Sequence, residues 1–582
     1  MDNLKYSEIL QQNKILKEKI HGDPFKVFIL SNVTVNSFKE IAEYCLRVNG
    51  INPVVEIGNF DNIVQDSANC KEANMVIIFY DMLNVADNMA VFFEDLDKAS
   101  LQEVEQKICT EIDLIFRNLE EVPSVVFNTF SSLAFPAGFL QPTRLEQFVL
   151  KLNTYLETTA PKNVSLADVS KIIVQVGAKQ AFDARFYNSS KAPYTLSFFK
   201  KYISAIEPVI FQVTGKLKKA IIFDCDNTLW KGIIGEDGMA KIDMSPTSAQ
   251  GKAFFEVQRI AKFLSKKGVL IGICSKNNVQ DVEEVIANHP DMLLKNENIV
   301  IKKINWSDKV TNLREIAKEL NIGVDSLIFV DDSSFEINLV KEQLPEVVTL
   351  QVPAASYEYP GLLMEYVYKY FNLNSSEEDK KRTELYKQQF QRQDESAKHL
   401  TIDEYLASLE IQLGIVKDER NQLARISQLT QKTNQFNLTT LRYTESQVEK
   451  FMDDENSHVF SASVRDKFGD SGLTAVCIVN ENESEGQSAT VDTLLMSCRV
   501  IGRNIEIFFM DYILNFLMER GCKTVYAKYS PTVKNQQAEP FYEKMGFDLD
   551  KSEKEIKQYS LQLSGYQKKT IDYIKAGTVQ YN

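Results

Sequence analysis

Apolar residues follow two alternating rhythms along this chain. Lys26-Val27-Phe28-Ile29-Leu30, Pro53 to Ile57, Ala73 to Phe79 and Ser124 to Asn128 are short, mostly apolar runs that predict buried strands. Between them, Ser37 to Arg47 and Leu101 to Leu119 carry apolar positions three and four apart, the spacing of an amphipathic helix. Alternation of this kind predicts a parallel sheet covered on both faces, spanning residues 1–215, with Phe182 to Phe211 bridging to the next domain. The rhythm restarts with strands at Ala220 to Phe223, Val269 to Cys274, near Ile299 and at Leu327 to Val330. Helices are predicted around Ala249 to Lys266 and Val279 to Asn288, which makes residues 216–355 a second parallel α/β domain. Asn374 to Lys398 is highly charged and lacks Pro and Gly, so a solvated helix is predicted within a linker of residues 356–400. From residue 401 to 582 the order changes to that of an α+β domain. A helix at Asn421 to Lys432 precedes successive strands at Val459 to Val464, Leu473 to Val479 and Val491 to Met496. A long helix then runs to Arg520, followed by a strand at Thr524 to Tyr529.

Composition narrows the class. A length of 582 residues leaves room for three or four domains, each with its own core. A net charge of −14 with no basic stripe argues against nucleic acid. No apolar run approaches the ~20 residues of a membrane span, and the first residues, MDNLKYSEILQQNKILKEKI, read as a polar amphipathic helix and not a signal peptide. Eight cysteines without a CxxC pair predict reduced thiols and a cytoplasmic protein. Four histidines without HxxxH or HExxH spacing argue against a zinc enzyme.

The chemistry concentrates at strand ends. In KKAIIFDCDNTLWKGIIGEDG, Lys218 to Gly238, the apolar strand ends in Asp224 and Asp226, two carboxylates that repel one another unless a cation or proton intervenes. Open α/β sheets place their ligand crevice at such strand ends. The next strand delivers Ser275-Lys276-Asn277, a helix start delivers Lys309, and a third strand ends in Asp331-Asp332 with Glu336 close behind. Carboxylates, a hydroxyl and an ammonium in this order suit phosphoryl transfer: oxygen ligands hold Mg²⁺ and the lysine offsets phosphoryl charge. The two gaps, Thr228 to Ser275 and Ser275 to Lys309, are too short for a cap domain, so only the segment Gly232 to Gly238 is left to cover the crevice. That segment with Gly235 is either a hairpin flap or a direct substrate contact.

These motifs resemble the haloacid dehalogenase-like (HAD) phosphatases, whose first motif is DxDxT. DNTLW-KGIIGEDG, CSKNN, W-SDK-TNL and FVDDSSFE resemble the FkbH-like subgroup of HAD subfamily IIIC. The resemblance implies Asp224 as nucleophile, Asp226 as general acid/base, and Ser275 and Lys309 on the phosphoryl oxygens. It also implies Thr228, Lys276 and Asn277 as phosphate or substrate contacts. Mg²⁺ would be held by Asp224, the Asp226 carbonyl and one of Asp331 and Asp332. It further implies a substrate such as 1,3-bisphosphoglycerate, with the three-carbon acyl unit loaded on a carrier protein as a thioester. The alternative is a phosphatase acting on a partner- or carbohydrate-bound phosphate in polysaccharide assembly, with the flanking domains as binding modules.

The flanking domains carry resemblances of their own. Ser31 and Gly58 at the first strand ends resemble the SGNH-hydrolase fold, within an SGNH- or flavodoxin-like α/β domain. A working hydrolase of that kind needs a late histidine, and residues 1–215 contain only His21, so a non-catalytic docking or binding domain is expected. The C-terminal region resembles the GNAT acyltransferases. Arg499-Val-Ile-Gly502-Arg-Asn504 matches R/QxxGxG/A at two of three places, with Asn535 and Tyr542 in the string NQQAEPFYEKMGF. This implies coenzyme A or phosphopantetheine at the helix start. Cys498 is either a thiol way station beside Arg499 or a small residue packed at a strand end. The expected partners are a small phosphorylated substrate and an acyl carrier protein or carbohydrate, with no nucleic acid and no membrane.

Overall fold

The structure, a computed structural model, describes residues 4–85, 90–135, 140–373, 382–396, 399, 401–482, 487–553 and 556–577. The chain divides into two compact units, Met1–Thr214 and Gly215–Asn582.

In the first unit, β1 (Phe25–Ser31), β2 (Pro53–Ile57), β3 (Met75–Phe79), β4 (Val125–Asn128) and β5 (Val164–Ala167) form one sheet. Its order is β2-β1-β3-β4-β5, and every neighbouring pair is parallel. That is the flavodoxin-like order, with the reversal between β1 and β3. β3 and β4 are buried along their whole length, as strands covered on both faces must be. β5, reading VSLA, is half-buried and too polar to announce itself by pattern.

The second unit opens with a sheet of β6 (Ala220–Phe223), β7 (Leu270–Ser275), β8 (Ile299–Ile304), β9 (Leu327–Asp331) and β10 (Val348–Gln351). The order is β10-β9-β6-β7-β8, all parallel. Period-two alternation divides β6 between two cores. Ile221 and Phe223 join Phe254 and Val257 of the helix Gly251–Lys266 on one face. Ala220 and Ile222 join Leu313 and Ile316 of the helix Lys309–Glu319 on the other. On β7, a Cβ on Gly272 would lie 2.6 Å from Ile222 Cδ1 and 3.0 Å from Ile301 Cγ2, so only glycine fits there. The chain steps from β6 to β7 and β8, then returns to β9 on the other side. The crevice of the sheet therefore lies at the carboxyl ends of β6 and β9.

Two segments depart from the expected linker. The helix Tyr359–Tyr370 is part of the central domain, because Tyr359, Leu363 and Val367, four apart, are buried in its core. The helix Arg382–Ser396 is not a solvated arm either; residues 374–381 and 397–398 of the expected helix lie outside the described residues. Tyr386 is buried in the central core and the Lys387 ammonium bonds the Asn296 and Glu297 carbonyls, each at 3.0 Å. Further along, the Arg392 guanidinium donates twice to the Asp466 carboxylate, at 2.7 and 2.8 Å. Charge density suggests solvent; long side chains that pair at both ends make it a strut.

The strut leads to β11 (Ile411–Lys417), β12 (Phe436–Asn437), β13 (Ser457–Asp466), β14 (Gly469–Asn482), β15 (Ser488–Met496), β16 (Thr524–Tyr529), β17 (Asp548–Glu553), β18 (Ile556–Gln562) and β19 (Ile574–Ala576). They form a mixed sheet of order β17-β18-β16-β15-β14-β13-β11-β19. The helix Ile505–Glu519 packs on it through Phe509, Ile513 and Leu517. β15 and β16 pair in parallel only as far as Val491 and Ala527. Beyond that point β12 pairs with β15 instead. This domain grips the central one through an Asn321 amide on the Cys498 carbonyl at 2.7 Å and a Lys534–Asp325 ion pair. Both Asn321 and Asp325 precede β9, at the amino end of the central sheet. Among the described residues no helix is long and apolar enough to cross a membrane.

Asp466 also accepts from Arg503 Nη1 at 3.0 Å, so one buried carboxylate serves two buried guanidiniums. Asp466→Asn leaves both cations unpaired, and breaking such a buried pair costs about 3–5 kcal/mol. Chemical denaturation of the variant should show the second unit melting at clearly lower denaturant; an unchanged midpoint would contradict this.

Candidate active site

The crevice between β6 and β9 is built from the ends of three strands and the start of one helix. Asp224 follows β6 directly, and its backbone N–H bonds the Val330 carbonyl at 2.9 Å, which ties the two strand ends together. Asp331 is the last residue of β9 and Ser275 the last of β7. Lys309 is the first residue of its helix, which Asp308 caps by accepting the Thr311 N–H at 2.8 Å. The cap fixes where the helix begins and so where the lysine enters the crevice.

Lys309 is the hub. Its ammonium donates to Asp224 Oδ1 at 2.7 Å and also to Asp331 Oδ2. All three side chains are almost fully buried. Carboxylate oxygens of Asp224, Asp331 and Asp332 lie within 4.8 Å of one another, a grouping that can hold a metal ion. Three carboxylates against one ammonium leave a net negative pocket, so a divalent cation fits the donor set in charge and in ligand type. Asp331 Oδ1 accepts the Ser333 N–H at 2.8 Å, which fixes its plane. Asp332 is half-buried, whereas Asp331 is fully enclosed.

Burial pushes the Asp224 carboxyl up to about 6, with Lys309 opposing and Asp331 adding to the rise. Burial also raises Asp331 against the pull of Lys309, and raises Asp332 with help from the Asp224 charge. Burial alone would lower Lys309, but Asp224 and Asp331 outweigh it and hold the ammonium charged.

Asp226 sits apart from this triad on its own scaffold. Asp226 Oδ1 accepts Trp230 Nε1 at 2.9 Å and the Ile234 N–H at 3.0 Å, while Oδ2 accepts Asn277 Nδ2 at 2.8 Å. The turn that aims it needs Asn227 in the left-handed region at φ 52°, which asparagine tolerates. Asn277 Nδ2 also reaches Ser275 Oγ at 3.5 Å, so Asp226, Asn277 and Ser275 form one edge of the crevice. Thr228 is fully buried, and among the described residues its hydroxyl has no hydrogen-bond partner. Lys276 turns aside, pairing with Glu336 Oε1 at 2.6 Å, and the buried Glu336 Oε2 has no partner among the described residues.

The segment expected to cover the crevice has the form of a hairpin flap. Lys231 and Asp243 exchange backbone bonds of 2.9 Å, and the short helix Ile234–Asp237 sits between them. Trp230 and Ile234 are buried in the central core, which anchors the flap at its base. Gly232 at φ 102° and Gly238 at φ 73° are its turn residues.

Two contributors escape the sequence pattern. Trp230 stands four residues after Asp226 and donates to it, a spacing visible in the sequence but silent about direction. Tyr359 falls within the expected linker. It is fully buried, its hydroxyl has no hydrogen-bond partner among the described residues, and burial together with the charges of Asp224, Asp331 and Asp332 raises its pKa.

The flanking candidates are placed differently. Ser31 is buried, and its hydroxyl donates to the Val33 carbonyl at 2.6 Å. Asn535 is fully buried; its amide donates to the Asn437 and Ser530 carbonyls at 2.8 and 2.9 Å, and its carbonyl accepts the Thr532 N–H at 2.7 Å. Tyr542 is fully buried among Phe541, Phe547 and Tyr559. Arg499 Nε bonds Ser497 Oγ at 3.3 Å, Gly502 adopts φ 84°, and the Cys498 carbonyl is the group that Asn321 holds.

No protein-family model matches this chain, and no curated protein sequence matches it. Among solved structures it is similar to the N-terminal part of the protein BF1531 from Bacteroides fragilis, which contains a phosphatase domain complexed with Mg. The TM-score is 0.55 at 23% identity, covering 63% of this chain and 99% of that one. This is a likeness of fold. Two acetyltransferases align at lower scores. The ribosomal-protein-S18-alanine N-acetyltransferase from Escherichia coli has a TM-score of 0.21 and 14% identity, covering 29% of this chain and 99% of its own. The spermidine N-acetyltransferase SpeG N152L mutant from Vibrio cholerae has a TM-score of 0.22 and 18% identity, covering 27% and 96%. Fold and site together define a multidomain α/β protein with a metal-competent carboxylate crevice in a parallel sheet.

A carboxyl raised in the folded state destabilises the metal-free fold as pH climbs from the ordinary carboxylate range through about 6 for Asp224. A bound cation removes that penalty, and protons compete with it below. Millimolar Mg²⁺ should therefore raise the melting temperature more at about pH 7.5 than at about pH 5. Equal shifts at both pH values in a thermal melt would contradict the assignment.

Proposed function

We propose that this chain is a Mg²⁺-dependent phosphatase or phosphotransferase that works through a phosphoryl group on Asp224. The observation that carries the reading is the buried Asp224–Lys309–Asp331 triad at the reversal of a parallel sheet. Burying three charges costs folding energy, and such costly groups cluster at functional sites.

Asp224, Asp331 and Asp332 would hold Mg²⁺, which supplies charge compensation for the phosphoryl oxygens. An Asp224 carboxylate oxygen attacks phosphorus, forming an acyl phosphate as the bond to the leaving oxygen breaks. Asp226 gives its proton to that leaving oxygen and then takes one from the water that releases phosphate. Trp230, the Ile234 N–H and Asn277 hold Asp226 in place for both transfers. Lys309 keeps Asp224 oriented and faces the phosphoryl charge. The Ser275 and Thr228 hydroxyls contact phosphoryl oxygens. Lys276 is tied to Glu336 and acts at the margin, on substrate that enters past it.

The crevice has a flap and no cap domain between Thr228 and Ser275, which suits a substrate whose own bulk or carrier closes the site. We place the substrate in the class implied by the resembled subgroup: a phosphorylated small acid, its acyl unit passed to the thiol of a carrier protein. A partner- or carbohydrate-bound phosphate is the alternative.

Asp224→Asn should reduce phosphate release from an acyl phosphate or a generic monoester by on the order of 10³-fold or more, with circular dichroism unchanged. Asp226→Asn should cost ~10²–10⁴-fold. An Asp224→Asn variant within a few-fold of the parent rate would sink the reading.

A further inference from the structure

The GNAT-like sequence pattern implies coenzyme A or a pantetheine arm in the C-terminal domain. The residues there do not fit one, and this conclusion is independent of the chemistry at Asp224.

A pantetheine arm is a chain of amides, and a sheet can hold it only where backbone groups are free to pair. Within the sheet, a gap opens where β15 and β16 part after Val491 and Ala527. The chain's own β12 segment fills it from both sides. Phe436 and Asn437 pair with Met496 and Leu495 of β15. The Leu438 N–H donates to the Leu494 carbonyl at 3.0 Å, and the Ser530 N–H, just past β16, donates to the Leu438 carbonyl at 2.8 Å. Asn535 closes the seam with its amide on the Asn437 carbonyl. Phe436 and Leu438 belong to the same core as Leu494, Tyr529 and Phe541. β12 is thus built into the domain and not laid over it.

The helix start is no better prepared for a pyrophosphate. Glu506 already places a carboxylate in the first turn, where it repels a second anion. Asn504 stands at φ 60°, and its amide donates to the Tyr573 hydroxyl at 2.6 Å. Arg503, next to Gly502 in the chain, points back to Asp466 and to the Arg499 carbonyl at 2.7 Å. Tyr542, the tyrosine of that pattern, is fully enclosed.

We propose that the C-terminal domain takes neither coenzyme A nor a pantetheine arm, and that β12 permanently occupies the cleft such an arm would need. Its packing contacts with the central domain, through Cys498, Lys534 and the Arg392 strut, are what it contributes. Any acceptor thiol then meets the acyl group outside this cleft.

Titration calorimetry of the full chain with coenzyme A, acetyl-coenzyme A and pantetheine should show no saturable heat up to millimolar ligand. Hydrogen exchange at residues 436–438, 492–496 and 502–508 should be the same with and without each ligand. Saturable binding by any of the three, accompanied by altered exchange in those segments, would overturn the proposal.

Discussion

The ammonium of Lys309 sits between the buried carboxylates of Asp224 and Asp331, and the central domain is arranged to make that contact possible. Each member arrives from a different element: the end of β6, the end of β9 and the first turn of a capped helix. Without the lysine, two buried carboxylates would face each other across adjacent strand ends. A dry interior makes such repulsion costly. Replacing the group by apolar residues would often be neutral or stabilising for folding. Its presence at a sheet reversal therefore points to a ligand that needs it. The same low-polarity surroundings that raise the Asp224 carboxyl also strengthen its interaction with a cation or phosphoryl group.

The second unit is organised along the strands of the central sheet. The C-terminal domain grips Asn321 and Asp325, before β9, whereas Asp331 closes that strand at the other end. Four steps of ~3.3 Å put about 13 Å of strand between the two. These two contacts lie away from the carboxylate crevice, and the strut Arg382–Ser396 holds both domains through Tyr386 and Arg392. The domain that resembles an acyltransferase in sequence thus contributes packing to the end of the sheet away from the chemistry.

Much of the central site is legible in the sequence because its residues sit at strand ends, where an apolar run stops abruptly at a carboxylate or hydroxyl. β6 and the helix Val279–Asn288 have the bounds that pattern gives. The pairing of Asp226 with Trp230 and Asn277 is not legible, since spacing says nothing about which way an indole N–H points. Tyr359 escapes notice because the helix Tyr359–Tyr370 reads as linker; its four-residue spacing of Tyr359, Leu363 and Val367 is the available signal. The charged helix reads as solvated because composition cannot distinguish an arginine in water from one paired with Asp466. β5, β10 and β12 are short and mixed in character, and only pairing partners distant in sequence make them strands. In the C-terminal domain, the loop motif draws attention to Gly502, whereas the deciding feature, β12 between β15 and β16, is a two-residue strand with no pattern of its own.

The proposed mechanism passes the phosphoryl group covalently through Asp224. Borohydride reduction of protein quenched during turnover converts a phosphorylated aspartate to homoserine, which peptide mass spectrometry can locate. Homoserine is expected at position 224, formed only with Mg²⁺ and substrate together. Homoserine at position 226 or 331 instead, or none at any aspartate while phosphate is being released, would contradict the claim.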